Sequence, residues 1–526
     1  MLFKKYQEFI PKSYLLLRKY QKEFFKKDLL AGITVGLVSV PLAMALAIAS
    51  GVDPERGLFT AIIGGFLVAL LGGSRVQISG PTGAFVVVVY ATVQRHGYEG
   101  LVLATFLAAL MLIAMGLFRL GSLIKFIPIP LTTGFTAGIG VVLFSSQIKD
   151  FFGLQTGLVP ADFIPKWKVY FSAMPSLDPL TLFFGLGVLL FIVFLRRFFP
   201  SFPWAIGTII LATLAASFLK LPIETIASRF GEIPRTLPSP SFSLDWSRIF
   251  DVFPDAVTIA LLAAIESLLC AVIADGMMGT RHKSNCELVA QGIGNLGSMA
   301  FGGIPVTAAI ARTATNVKSG AQTPLAGMIH AVTVFLVILL FAPFVGAIPL
   351  AAMAAILMVV AWNMSHFPFF FHLLKAPKGD VAILLTSFFL TVLVDITVAV
   401  EVGMILAAFF FLKRMSENRQ QLINSHRDTE KGIEVIEMRG PLFFGVADKL
   451  KDAFQSLPHR PKFFVLKMEH VSILDATGLH VLRELEQKCL KEEARLLLTE
   501  VQEEPAKLLH DFGLGHLIQR KEDSLP

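Results

Sequence analysis

Apolar residues in this chain come in long unbroken runs, and polar residues gather in short stretches between them. Fourteen such runs lie near 29–49, 57–72, 80–94, 99–119, 128–148, 179–195, 203–219, 255–274, 286–302, 306–318, 323–341, 346–362, 380–396 and 398–412. Most are long enough to cross the roughly 30 Å hydrocarbon layer of a bilayer as a helix, so the pattern predicts an α-helical membrane protein with fourteen spans. Two runs, 80–94 and 306–318, are short. Each follows a stretch rich in Gly and Pro, Gly72-Gly73 through Ser79-Gly80-Pro81 in one case and Gly302-Gly303-Ile304-Pro305 in the other. They stand third in each half of seven. Beyond about residue 430 the pattern changes. Segment 432–438 alternates with period two, 462–468 is a buried-strand run, and 447–456, 477–491 and 503–512 have helical spacing. Strands alternating with helices predict a small α/β domain over 432–520, joined by a linker at 414–431 to a transmembrane domain at 29–413.

Composition agrees with that division. Of 526 residues 54% are hydrophobic and 16% charged, against about 25% charged in a soluble protein. Residues 1–412 carry 28 basic and 20 acidic side chains, whereas the much shorter 413–526 carries 18 and 19. The net charge of +7 is what cytoplasmic Lys and Arg give a membrane protein, so it does not call for nucleic acid. With the N-terminus inside, the inner loops collect Arg75, Arg119, Lys125, Arg196, Arg197, Arg281, Lys283, Lys318, Lys375, Lys378, Lys413 and Arg414. An even span count then returns the charged tail to the cytoplasm, and the bacterial inner membrane is the expected location. Residues 1–28, with eight basic and three acidic side chains, read as a basic amphipathic lead-in on the cytoplasmic surface, with no cleavable signal peptide. Cys270, Cys286 and Cys489 are too few and too scattered for a disulfide scaffold or a cysteine metal site.

The chemistry concentrates in the two short runs. A helix that starts inside the membrane exposes unpaired N–H groups and about half a positive charge at its N-terminus. Two such ends facing each other make an anion site. The candidate residues are Ser79, Gly80, Pro81, Thr82, Gly83, Ala84 and Phe85 in the first and Thr307, Ala308, Ala309, Ile310 and Arg312 in the second. Pro81 and Pro305 are expected in the first helical turns. Glu266 lies in an apolar span, where an ionisable group must be paired, protonated or functional. Arg312 is its expected partner, and Glu266 either carries a coupling proton or forms a static ion pair. Asp28 is expected to cap the first span. No phosphate-binding loop, zincin pattern or nucleophile elbow is present, so no cofactor, resident metal, ATP coupling or enzyme chemistry is expected. In the tail, Asp475-Ala-Thr-Gly478 opens a helix. Thr477 is either a phosphate acceptor there or, with Asp475, a plain cap.

Asp28-Leu-Leu-Ala-Gly-Ile-Thr-Val-Gly36, Val40-Pro-Leu-Ala-Met-Ala45, Gly72-Gly-Ser-Arg75 and Ser79-Gly-Pro-Thr-Gly-Ala84 resemble the SulP anion transporter family. The tail resembles its STAS domain through Gly440-Pro-Leu-Phe-Phe444 and Asp475-Ala-Thr-Gly-Leu479. Ala264-Ile-Glu-Ser-Leu-Leu-Cys-Ala-Val272, Thr307-Ala-Ala-Ile-Ala-Arg312, Ala361-Trp-Asn-Met-Ser365 and Gly279-Thr-Arg-His-Lys283 are similar to the bacterial C4-dicarboxylic acid transporter branch. The resemblance implies a seven-plus-seven inverted repeat, with a core of spans 1–4 and 8–11 moving against a gate of spans 5–7 and 12–14. It also implies a homodimer, and a regulatory STAS domain open to a cytoplasmic protein partner. Substrate is then expected between the half-helices of spans 3 and 10, at positions matching Thr82, Gly83, Ala308 and Ala309. Glu266 matches the family's span-8 acid and Arg312 a basic position of its exchangers. Where related anti-sigma antagonists carry Asp-Ser-Ser-Gly, this chain has Ala476 and Thr477. The function expected is alternating-access transport of a small anion, as proton-coupled uptake of a C4-dicarboxylate or sulfate. Sodium-coupled bicarbonate transport and anion exchange are the alternatives, and a membrane-anchored STAS signalling protein is the alternative of a different class.

Overall fold

The computed structural model describes residues 7–18, 20–122, 127–157, 159–199, 204–242, 244–417, 422–428, 433–439, 442, 450 and 461–519. The chain divides into two compact units, 1–404 and 405–526. In chain order the first holds helices α1 (Lys22–Ala49), α2 (Pro54–Leu71), strand β1 (Ser79–Gly80), α3 (Gly83–Leu117), α4 (Ile129–Ser146), α5 (Phe163–Ala173), α6 (Pro179–Phe198) and α7 (Trp204–Phe218). It continues with α8 (Ile249–Met278), α9 (Ser284–Ala300), strand β2 (Thr307–Ala308), α10 (Ile310–Lys318), α11 (Leu325–Gly346), α12 (Leu350–Ser365), α13 (Lys378–Leu393) and the start of α14 (Ile396–Glu417). Helices stand at each of the fourteen predicted runs, with α3 covering two of them. Eight helical stretches among the described residues are long and apolar enough to cross a membrane.

Both halves contribute to each bundle. Helices α8 and α9 pack on α3, and α11 packs on α1, whereas α12 and α13 pack on α4 and α6 packs on α12. The interior is close-packed around small side chains such as Ala31, Ala43, Ala263, Ala352 and Ala355, all essentially inaccessible. Large apolar side chains point outward from the spans, among them Phe183, Leu190, Phe218 and Phe344. In water that pattern would be an aggregation liability; facing hydrocarbon it needs no further partner. Helix α3 is two helices joined at Gly97, whose φ of 69° is accessible to glycine at little cost.

The structure revises three local expectations. Helix α1 starts at Lys22, inside the basic lead-in, and the lead-in is tied to the ends of two spans. Lys12 N–H donates to Gly72 O at 3.0 Å, and Lys283 Nζ donates to Ile10 O at 3.0 Å. Asp28 therefore does not cap α1. Its carboxylate accepts from Gln322 N–H (2.6 Å), Thr323 N–H (3.0 Å), Thr323 Oγ1–H (2.6 Å) and the Tyr20 hydroxyl (3.1 Å). It serves the turn before α11, in the other half of the chain. Residues 149–178, left between two of the predicted runs, also contain a helix, α5, whose Trp167 and Tyr170 pack edge to face.

The second unit is a four-stranded sheet in the order β3 (Leu422–Asp428), β4 (Ile433–Arg439), β5 (Phe463–His470), β6 (Arg495–Thr499), with α15 (Ala476–Lys491) and α16 (Glu503–Asp511). The β3–β4 pair is antiparallel and the other pairs are parallel. Leu466, Met468, Leu482, Leu485 and Leu498 form its core. The stretch expected as a linker is occupied by the end of α14 and by β3, and β6 was not foreseen. Val471–Leu474 makes one isolated bridge, Leu442 to Leu474, and no strand. The predicted helix 447–456 lies outside the described residues apart from Leu450.

Asp28→Ala removes an acceptor shared by four donors, and a hydrogen bond to a charged group is worth about 1.5–3 kcal/mol. Thermal unfolding of the purified protein in detergent is expected to show a loss of about 3 kcal/mol, with Tyr20→Phe showing the smaller effect of one donor.

Candidate functional site

The two Gly/Pro-rich stretches meet each other as strands before either becomes a helix. Strands β1 and β2 pair antiparallel, Ser79 opposite Ala308 and Gly80 opposite Thr307. Ala309 N–H extends the pairing by donating to Ile78 O at 2.9 Å. The helices then start at Gly83, after the extended Thr82, and at Ile310, after Ala309. This corrects the placement of the prolines. Pro81 precedes its helix and Pro305 lies ahead of β2, because each stretch first satisfies its backbone across the pair. Gly83, Ala84 and Phe85 on one side and Ile310 on the other form the opening turns. Phe85 is fully buried, and Gly83 and Ile310 are partly open.

Arg312 crosses from one half to the other. It is 5% exposed; its Nη2 donates to Pro81 O, while its Nη1 has no hydrogen-bond partner among the described residues. A Cβ on Gly80 would sit 2.7 Å from that nitrogen, so only glycine lets the guanidinium lie against β1. The Thr82 hydroxyl is likewise buried without a partner. No carboxylate among the described residues lies within ion-pair distance of Arg312.

The expected Glu266–Arg312 ion pair is absent. Helix α8 turns Ala263, Ser267 and Cys270 toward β2 and α10. Ser267 Oγ and Thr307 Oγ1 are 2.8 Å apart, Thr307 Oγ1 donates to Ala263 O at 3.3 Å, and Cys270 Sγ donates to Thr313 Oγ1 at 3.2 Å. Helix α10 meets α8 with Thr313 and turns Arg312 toward the first half. Glu266, 7% exposed, makes no hydrogen bond or ion pair with any described residue.

Sequence reasoning missed the residues that hold the strand pair. Along α9, Glu287, Gln291, Asn295 and Ser298 form one buried polar stripe. Glu287 accepts from Gly73 N–H (2.9 Å), Ser74 N–H (3.1 Å), Gln77 Nε2 (2.8 Å) and Gln291 Nε2 (3.0 Å). Gln291 Nε2 also donates to Ser79 Oγ at 3.2 Å. Asn295 donates to Val306 O at 2.8 Å and accepts from Val306 N–H at 2.9 Å, and Ser298 Oγ donates to Ile304 O at 2.6 Å. The signal was legible as polar residues at i, i+4, i+8 and i+11 of an otherwise apolar run. His330, fully buried on α11, joins Ser39 of α1 at 2.8 Å and also went unremarked. In the second unit Asp475 Oδ1 caps α15 by accepting from Gly478 N–H at 2.8 Å, and Thr477 lies in the first turn, partly exposed.

Residues 25–387 match the Sulfate permease family, well over half of the chain. The chain belongs to the Sulfate permease family. Residues 426–525 match the STAS domain, so this permease carries that domain after the spans. It is 40% identical over 512 residues to the putative sulfate transporter YvdB of Bacillus subtilis, covering 95% of this chain and 96% of the relative. It is 31% identical over 452 residues to the bicarbonate transporter BicA of a Picosynechococcus species, covering 80% and 79%. Its fold is similar to that of murine Solute Carrier 26 family member A9 in the inward-facing state, with a TM-score of 0.84 and 18% identity over 95% of this chain and 90% of that one. The permease is accordingly an integral membrane transporter of anions and not an enzyme.

Gly80→Ala places a methyl group against Arg312 Nη1. Anion uptake into proteoliposomes is expected to fall at least tenfold, since an ångström-scale displacement of a binding group costs up to about 100-fold, with the melting temperature close to wild type.

Proposed function

We propose that this permease carries a compact oxyanion, sulfate first, between the starts of α3 and α10. The observation that carries the reading is Arg312, a buried guanidinium that spans the two halves and that, among the described residues, has one nitrogen without a partner and no carboxylate at ion-pair distance. Burying a cation alone costs several kcal/mol, and an anion at that nitrogen would offset it. The opening amides of α3 and α10, with the Thr82 hydroxyl and the small residues Gly83, Ala308 and Ala309, complete a set of donors around a guanidinium that no carboxylate among the described residues reaches at ion-pair distance. The described residues offer one guanidinium here. A C4-dicarboxylate needs two carboxylate positions several ångströms apart, so the single cation favours sulfate over the dicarboxylate of the sequence resemblance. Bicarbonate is the second reading, favoured by the 31% identity to BicA.

Transport proceeds by alternating access. The helices packed on α3 and α1 act as the core that carries the site, and those packed on α4 act as the gate. Glu266, unpaired in an apolar span, takes up the coupling proton. The termini face the cytoplasm, the permease works as a homodimer in the inner membrane, and the STAS unit receives a cytoplasmic partner, with Thr477 as the position a phosphoryl group would reach.

The test is uptake of radiolabelled sulfate, bicarbonate and succinate into proteoliposomes, with and without proton or sodium gradients. Saturable, proton-driven sulfate accumulation is expected. Arg312→Met is expected to lower kcat/KM about 100-fold, the scale of truncating a buried charge pair. Glu266→Gln is expected to abolish gradient-driven accumulation while sulfate exchange persists. Sodium-driven bicarbonate uptake with no sulfate uptake would replace the first reading by the second.

A further inference from the structure

The β1–β2 pair that brings the two helix starts together is only two residues long on each side. Pairs that short are marginal alone, and a slip of one residue would turn Ser79, Gly80, Thr307 and Ala308 to the wrong faces. One helix grips both strands. The upper part of the α9 stripe, Glu287 and Gln291, holds Gly73, Ser74, Gln77 and Ser79 ahead of and within β1. The lower part, Asn295 and Ser298, holds Ile304 and Val306 just ahead of β2. Because these residues recur at near-helical spacing on one rigid rod, the distance between the two grips is set by the rise of α9.

We propose that the α9 stripe is a splint that fixes the register of the strand pair, and that Glu287 at its head is a positioning residue for anion transport. Glu287 is 1% exposed, has no Lys or Arg within ion-pair distance among the described residues, and gives both carboxylate oxygens to neutral N–H donors. A carboxylate is acceptor-only at all its lone pairs. Glutamine has the same size but one acceptor oxygen; with that oxygen on Gly73 and Ser74, its N–H groups face the amides of Gln77 and Gln291, which must turn over to accept, and Gln291 then no longer donates to Ser79 Oγ. The substitution therefore releases the first-half strand while leaving the volume filled. Gly80 then shifts against Arg312, and the site loses its alignment without losing any group that touches the anion.

The role rests on the transport reading above, and two measurements separate the two. In proteoliposomes, Glu287→Gln is expected to raise the KM for sulfate about tenfold with maximal rate per transporter changed less than threefold. Cys286→Ser, on the same helix as Glu287 with its native sulfur facing the carbonyls of Phe9 in the lead-in and Leu71 at the end of α2, is expected to leave both unchanged. In membranes, copper-catalysed cross-linking of the pair Ser79→Cys/Ala308→Cys is expected to outrun Ser79→Cys/Thr307→Cys, and Glu287→Gln is expected to erase that preference. If Glu287→Gln does not fold, Gln77→Met removes one of the four donors instead and is expected to shift KM and cross-linking in the same direction. Unchanged KM and unchanged cross-link preference in a folded variant overturn the splint. A wild type that takes up no anion, with the cross-link preference intact and lost in Glu287→Gln, overturns the transport reading and leaves the splint standing.

Discussion

A chain that leaves the helical conformation inside a bilayer must find a partner for every backbone N–H and C=O it frees, because hydrocarbon offers none. This permease does so at two places, and the two breaks satisfy each other. Ser79 and Gly80 pair with Ala308 and Thr307, and what the strands leave over is taken by Asn295, Thr60 and Thr313. Ile78 N–H reaches Thr313 Oγ1 at 3.0 Å, and Ile304 N–H reaches Thr60 Oγ1 at 2.7 Å. The candidate site is built on that closure. Two helices begin where the pair ends, so their unpaired amides converge on one region from opposite halves of the chain. The five-residue π-helical stretch of α2, Thr60–Gly64, belongs to the same arrangement, since a wider turn lets Thr60 reach Ile304.

The electrostatics of the region are asymmetric in a way that suits anions. Its buried carboxylates are either saturated by neutral donors, as Glu287 is, or without a hydrogen-bond or ion-pair partner among the described residues, as Glu266 is. Its buried guanidinium is left with an open nitrogen. Had Glu266 met Arg312, the site would be internally neutral and an incoming anion would have to displace a carboxylate. Keeping the two apart costs folding energy that a static ion pair would have recovered, the kind of local cost that sites concentrate. The binding of the STAS unit's sheet and the capping of its α15 by Asp475 follow ordinary soluble rules by contrast, with an apolar core and charged faces.

Hydropathy alone located the spans, because a helix crossing hydrocarbon needs a run of apolar residues of fixed length wherever it stands. The two short runs with Gly and Pro before them likewise marked where the helices break, since an interrupted span can be tolerated only where something else satisfies the backbone. The family motifs and the alternating pattern of the tail were also legible locally. What the chain does not carry locally is the identity of partners far apart in sequence. Asp28 read as a cap for its own helix and instead serves Gln322 and Thr323. Pro81 and Pro305 read as first-turn residues and instead flank strands that exist only because the other strand is there. Glu266 and Arg312 were matched by charge, whereas packing brought Ser267 to Thr307 and Cys270 to Thr313 instead. Sequence determined which segments enter the membrane and where a helix must break. Tertiary structure decided which broken ends meet and in what register, because hydrogen bonds and helix rotation are settled by packing between segments more than 200 residues apart.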